Sequence, residues 1–147
     1  MPKYRFQLLV AAAVAALALT GTATAVASPA ALYSTAGGWS CAHGASDTSG
    51  PTYGSASIKV QQSGTAATIT VRLRNAAPNT TYAVSLTQTA VATGCVIPSP
   101  FAQLTTNERG AGSVRRTVSV NPNAYSRQIL LESSGQPGFE TALPWLF

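Results

Sequence analysis

At 147 residues, with nine Lys or Arg against four Asp or Glu, the chain carries a formal charge of +5, yet charged side chains make up only 9% of it. Nucleic-acid binders cluster Lys and Arg around a recognisable motif, and neither a cluster nor a motif is present, so that class is excluded. One His, one Asp and three Glu leave little for acid–base chemistry, and two cysteines exclude a disulfide-dense scaffold.

Lys3 and Arg5 precede an apolar stretch from Leu8 to Leu19, and both Ala23-Thr24-Ala25 and Ala25-Val26-Ala27 offer a small-residue cleavage pattern. Residues 1–27 therefore read as a secretory signal peptide of Ala-rich, bacterial style, cut after Ala25 or Ala27. Twelve apolar residues are short for a bilayer span, so no transmembrane segment is expected after cleavage. No cysteine stands at either cut to carry a lipid. Removing 27 residues leaves 120, the size of one domain, with seven basic against four acidic side chains and a charge of +3. The expected location is extracellular, either free or associated with the cell wall.

Residues 28–54 are rich in Gly, Ser and Ala, but Trp39 and Cys41 tie the second half of this segment to the domain that follows at 55–147. Ala31 to Thr35 reads either as a first strand or as part of a tail. In an oxidising compartment Cys41 and Cys95 form one intramolecular disulfide, and closing a loop of this length stabilises the fold by about 4 kcal/mol.

The remainder alternates with period two. Ala56, Ile58 and Val60 face one way and Ser57, Lys59 and Gln61 the other. After a turn at Ser63-Gly64, Ile69, Val71 and Leu73 alternate with Thr68, Thr70, Arg72 and Arg74. Tyr82, Val84 and Leu86 repeat the pattern. A long connection with Cys95, Pro98 and Pro100 follows, then strands at Phe101 to Thr105, Val114 to Val120, Gln128 to Glu132 and a terminal alternation at Leu143, Trp145 and Phe147. Arg116 falls on the face of Val114 and Val118, which requires a bulge, a position at the rim, or a carboxylate partner. The whole is all-β: a single immunoglobulin-like β-sandwich of about seven strands, of Greek-key type.

Pro78-Asn79-Thr80-Thr81-Tyr82-Ala83-Val84 resembles the P-x-T-x-Y-x-V corner of fibronectin type III and related immunoglobulin-like modules, with Ala76-Ala77 where those modules place a Leu before the Pro. The resemblance implies that the Tyr82 hydroxyl bonds back to corner backbone while its ring packs inside. Asn79-Thr80-Thr81 also fits the N-glycosylation pattern and is read here as turn chemistry. From Asn75 to Val120 the chain resembles the secreted neocarzinostatin-like apoproteins: the T-x-Y-x-V strand, Cys95, Phe101, Thr106, Gly110 and Thr117-Val118. That family implies a carrier of a small apolar ligand in a cleft of the sandwich. Its near-neighbour cysteine pairing is replaced here by Thr87 and Gln88 and its second disulfide is missing, so no binding residue is carried over.

Ser40, His43 and Asp47 can be written as a triad, but closeness in sequence is no argument for one, and Gly38 to Ala42 only partly matches a nucleophile elbow. His43 and Asp47 supply two metal ligands where three or four are needed. No enzyme, metal or cofactor is expected. Pairing Gln62 with Ala67 sets Ser57 opposite Arg72 and Lys59 diagonal to it, so Lys59, Arg72 and Arg74 share the solvent face, which reads either as an anion-binding patch or as a solubilising outer face with edge protection. Trp39, Tyr53, Trp145 and Phe147 are read as core or rim packing. The expectation is a non-catalytic binding or structural module, its partner an anionic envelope polymer or a small apolar ligand.

Overall fold

The computed structural model describes residues 29–41, 44–97, 99–141 and 145–146. The signal-peptide reading, His43, Leu143 and Phe147 lie outside the described residues. In chain order the elements are β1 (Ala30–Ser34), a 3-10 turn (Thr35–Gly37), β2 (Trp39–Ser40), β3 (Gly44–Ala45), β4 (Gly54–Val60), β5 (Ala66–Leu73) and β6 (Thr81–Ala90). They continue with β7 (Gly94–Val96), β8 (Ala102–Thr105), β9 (Gly112–Ser119), β10 (Ser126–Ser133), β11 (Gln136–Thr141) and β12 (Trp145–Leu146). All strand pairs are antiparallel. Ten strands form one sheet in the order β7-β6-β10-β11-β1-β4-β5-β9, with β8 also on β6 and β12 also on β10, while β2 and β3 form a separate hairpin.

Alternation decides what each strand buries. Ala56, Ile58 and Val60 of β4 and Ala67, Ile69, Val71 and Leu73 of β5 are buried, and Tyr82, Val84, Leu86, Ile129, Leu131 and Phe139 from β6, β10 and β11 join them in one apolar cluster. A sheet can share a core between its two ends only by curling on itself, which gives a sandwich-like, all-β body. β1 makes the turn between the halves: Ala30 and Ala31 pair with β4, while Leu32 to Ser34 pair with β11. The open choice at Ala31 to Thr35 thus resolves as a strand.

Where about seven strands were expected, the main sheet has ten, because two long strands each receive their neighbour in two pieces. β6 pairs with β7 at Gln88 to Ala90 and with β8 at Thr81 to Val84. β10 pairs with β11 and then with β12 at Ser126 and Arg127, so Trp145, buried in the core, completes this sheet. β11 escaped the sequence reading because Pro137 and Gly138 interrupt it and its buried positions include Glu140 and Thr141. The 3-10 turn packs closely at Gly138, where a Cβ would stand 2.4 Å from the Leu131 carbonyl oxygen and 3.0 Å from Thr35 Oγ1.

Arg116 sits at the rim. The β5–β9 register runs without a shift from Ala66↔Ser119 to Leu73↔Gly112, so no bulge is present, and Arg116 is exposed on an outermost strand. Its Nη1 donates to the Arg115 carbonyl at 3.1 Å.

The corner at Pro78 to Val84 is tightly tied. Asn79 adopts a left-handed φ of 51° in the turn, and the Thr80 hydroxyl donates to the Pro78 carbonyl at 2.9 Å. Buried Thr106 donates its hydroxyl to Ala77 O at 2.6 Å and accepts from Thr80 N at 2.9 Å. Tyr82 is fully buried, its ring 5.4 Å from that of Phe139, and its hydroxyl hydrogen-bonds the backbone of Ala77. Burial pushes the Tyr82 hydroxyl above its ordinary pKa. Tyr82→Phe should lower stability by about 1 kcal/mol, the worth of one buried hydrogen bond, read as a reduced urea midpoint at constant slope. An unchanged midpoint would show that the corner does not depend on that bond.

Candidate functional site

The outer face of β4, β5 and β9 is a grid of hydroxyls and cations. Cross-strand partners give the rows Ser55–Arg72–Ser113, Ser57–Thr70–Arg115 and Lys59–Thr68–Thr117. Each row holds one cation, each on a different strand, and none of the three strands carries a carboxylate. Thr68 and Thr117 hydrogen-bond through their hydroxyls at 2.9 Å, which fixes part of the surface.

This arrangement corrects the pairing read from sequence. Val60 opposes Ala67, so Ser57 faces Thr70 and not Arg72, and Lys59 and Arg72 stand two rows apart, about 13 Å along the strands. The cause is the turn: Gly64, at φ 70°, donates its N–H to Gln61 O, and Gln61 N bonds Ala66 O, which closes the hairpin earlier than Gln62. Arg74 lies beyond the end of β5, its Nη2 3.4 Å from Thr52 Oγ1. Arg115 fills the gap between Lys59 and Arg72 and could be found only by knowing that β9 pairs with β5. Two surface pockets flank Arg72: one of about 220 Å³ lined by Gly54, Ser55 and Arg74, and one of about 360 Å³ lined by Asn107, Gly112 and Ser113.

The outer face of β6, β10 and β11 is the opposite case: it is polar but buried. Ser85, Thr87, Thr89, Ser126, Gln128 and Glu140 are all nearly or wholly inaccessible, and the segment that carries β2 and β3 packs on this face at β11 and Gln128. The Cys41–Cys95 disulfide, with Cα atoms 5.8 Å apart, fastens this flap to β7 as the sequence led one to expect. Gln128 fastens it a second time. Its side-chain oxygen accepts from Gly44 N at 2.7 Å, and its nitrogen donates to Cys41 O at 3.1 Å and to Glu140 Oε1 at 3.0 Å. Among the described residues, Glu140 Oε2 has no hydrogen-bond partner. Burial raises the Glu140 carboxyl from the ordinary 4.5 to about 8, so it stands protonated at neutral pH. Burial also lowers the Arg127 guanidinium pKa, on the core face of β10.

The triad written from sequence does not form a described site. Asp47 spends its carboxylate on Ser49, accepting from the Ser49 N–H at 2.9 Å and hydroxyl at 2.6 Å, and these bonds lower its pKa. Ser40 pairs with Gly44 in the flap. Among the described residues no three His, Cys, Asp or Glu side chains are grouped as metal ligands. No known protein family matches the chain, and neither a curated protein nor a solved structure does.

Proposed function

We propose that this is a secreted, non-catalytic binding module built on an immunoglobulin-like sandwich, which holds an anionic polymer such as an acidic envelope glycan against the outer face of β4, β5 and β9. The observation that carries the reading is the grid itself: Lys59, Arg72 and Arg115 in three successive rows, hydroxyls between them, and no carboxylate on the same strands. Cations spaced along a rigid face attract a repeating anion, and hydroxyls supply hydrogen bonds to its sugar or phosphate oxygens. The disulfide, and the lack among the described residues of a helix long and apolar enough to cross a membrane, are compatible with an extracellular location.

Retention on immobilised polygalacturonate tests this reading. The wild type should be retained at low salt and released as salt rises past about 0.15 M, where screening acts within roughly 8 Å. The triple variant Lys59→Gln, Arg72→Gln, Arg115→Gln should lose most retention while its melting temperature stays within a few degrees. Equal retention of the two proteins would contradict the assignment. A mass excess on the native protein that vanishes on denaturation would favour the apolar carrier instead.

A further inference from the structure

The buried polar layer places a nucleophile, an amide and an acid together. Thr87 and Gln128 are direct cross-strand partners in the β6–β10 ladder, and both side chains point to the covered face. With the amide in this orientation, the Thr87 hydroxyl oxygen lies 3.5 Å from the Gln128 amide nitrogen and 3.4 Å from the Gln128 main-chain carbonyl oxygen. The amide carbonyl oxygen is held by Gly44 N–H at 2.7 Å, and the amide nitrogen lies 3.0 Å from the Glu140 carboxyl. Thr87 is 1% exposed, Gln128 and Glu140 0%.

We propose that the Thr87 hydroxyl and the Gln128 side-chain amide condense to an intramolecular ester that cross-links β6 to β10, with Glu140 protonating the departing nitrogen. Thr87 Oγ1 bonds to Cδ of Gln128, the Cδ–Nε2 bond breaks, and ammonia leaves. Glu140 gives its proton to the nitrogen and regains one from the threonine hydroxyl, so the carboxyl is unchanged and no further reactant is consumed. Gly44 N–H stabilises the charge that develops on the carbonyl oxygen, the task of an oxyanion-hole donor. A carboxyl that keeps its proton at neutral pH suits the acid role. The fixed register holds the reacting groups in one encounter geometry, which replaces a bimolecular collision. Exclusion of water protects the product from hydrolysis.

The surroundings favour the reaction at this pair. On the side of β6 away from β10, the ladder partners are β8 up to Val84 and β7 from Gln88, so Thr87 lies between the two pairings. A covalent bond here would join β6 to β10 between the two stretches of β6 that pair with β8 and β7. The oxyanion donor belongs to the flap, so cross-linking requires the flap to be docked.

The test is intact mass spectrometry of the denatured, disulfide-bonded full chain, with peptide mapping of the same sample. The expected mass is about 17 Da below that of the cystine form, the mass of ammonia lost in acyl transfer. Mapping should recover one peptide pair joined through Thr87 and Gln128 and separable by hydroxylamine. Thr87→Ser should keep the deficit, Thr87→Val should abolish it, and Glu140→Gln should slow its appearance after refolding at least tenfold. An unmodified Gln128 peptide from the folded wild type, needing no variant to fold, would overturn the proposal. So would a deficit that survives in Thr87→Val. An unchanged rate in Glu140→Gln would remove Glu140 from the mechanism.

Discussion

Stability should fall steadily as the pH rises from about 4.5 to 8, and replacing Glu140 by Gln should abolish that fall. Glu140 is fully buried on β11, and its pKa stands at about 8 against an ordinary 4.5. Below 4.5 the carboxyl is protonated both folded and unfolded, and it adds no pH dependence. Between 4.5 and 8 the unfolded chain ionises while the folded one keeps its proton, so the unfolded state gains with each rise in pH. The slope approaches 1.4 kcal/mol per pH unit, with roughly 4 to 5 kcal/mol as the upper bound over the window, and the loss is complete above 8. Among the described residues, the groups around Glu140 on the covered face are Tyr33 and Leu130 as cross-strand partners, Gln128 on β10, and Gly44 and Cys41 of the flap. None of these offers a cation. Asp47, whose pKa is lowered, titrates below the window. The comparison is best made between Thr87→Val and Thr87→Val/Glu140→Gln, in which the Gln128 amide is intact in both proteins. Urea midpoints at pH 5 and pH 8 should differ clearly for the first and little for the second. A flat profile in both would show that Glu140 is not held protonated by burial.

Removing the disulfide by Cys41→Ser and Cys95→Ser should cost about 4 kcal/mol, as expected for a cross-link that closes a loop across 54 positions of sequence separation. The effect should be concentrated in the flap. β2 and β3 are two residues each, form their own sheet, and touch the main sheet mainly through Gln128 and the contact of β3 with β11. Hydrogen exchange at the Gly44 amide, which donates to Gln128, should accelerate far more than exchange in β5. Uniform acceleration through β5 and the flap would show instead that the flap and the sheet unfold as one unit.

The half of the molecule legible in the sequence is the half with one wet face. In β4 and β5 the apolar positions enter the core and Ser57, Lys59, Thr70 and Arg72 meet solvent, so alternation alone reports both the strands and the cationic surface. The same logic fails on β6 and β10. Ser85, Thr87 and Gln128 look like solvent-facing positions yet all are interior, and at Gln128 the cover is the flap, held by a disulfide whose pairing is legible but whose cargo is not. Glu140 was hidden twice, in a strand broken by Pro137 and Gly138 and under a cover drawn from residues a hundred positions away. Arg115 was hidden by topology, because the β5–β9 pairing joins segments about fifty residues apart and leaves no local pattern.

The most direct measurement is an amide chemical-shift titration of the mature protein with oligogalacturonate at low salt. The account predicts that shifts concentrate on β4, β5 and β9, at Lys59, Thr68, Thr70, Arg72, Arg115 and Thr117, and that they reverse on adding salt. Shifts confined to the apolar end formed by the exposed Val91, Val96, Ile97 and Tyr125, with none on the cationic grid, would contradict it.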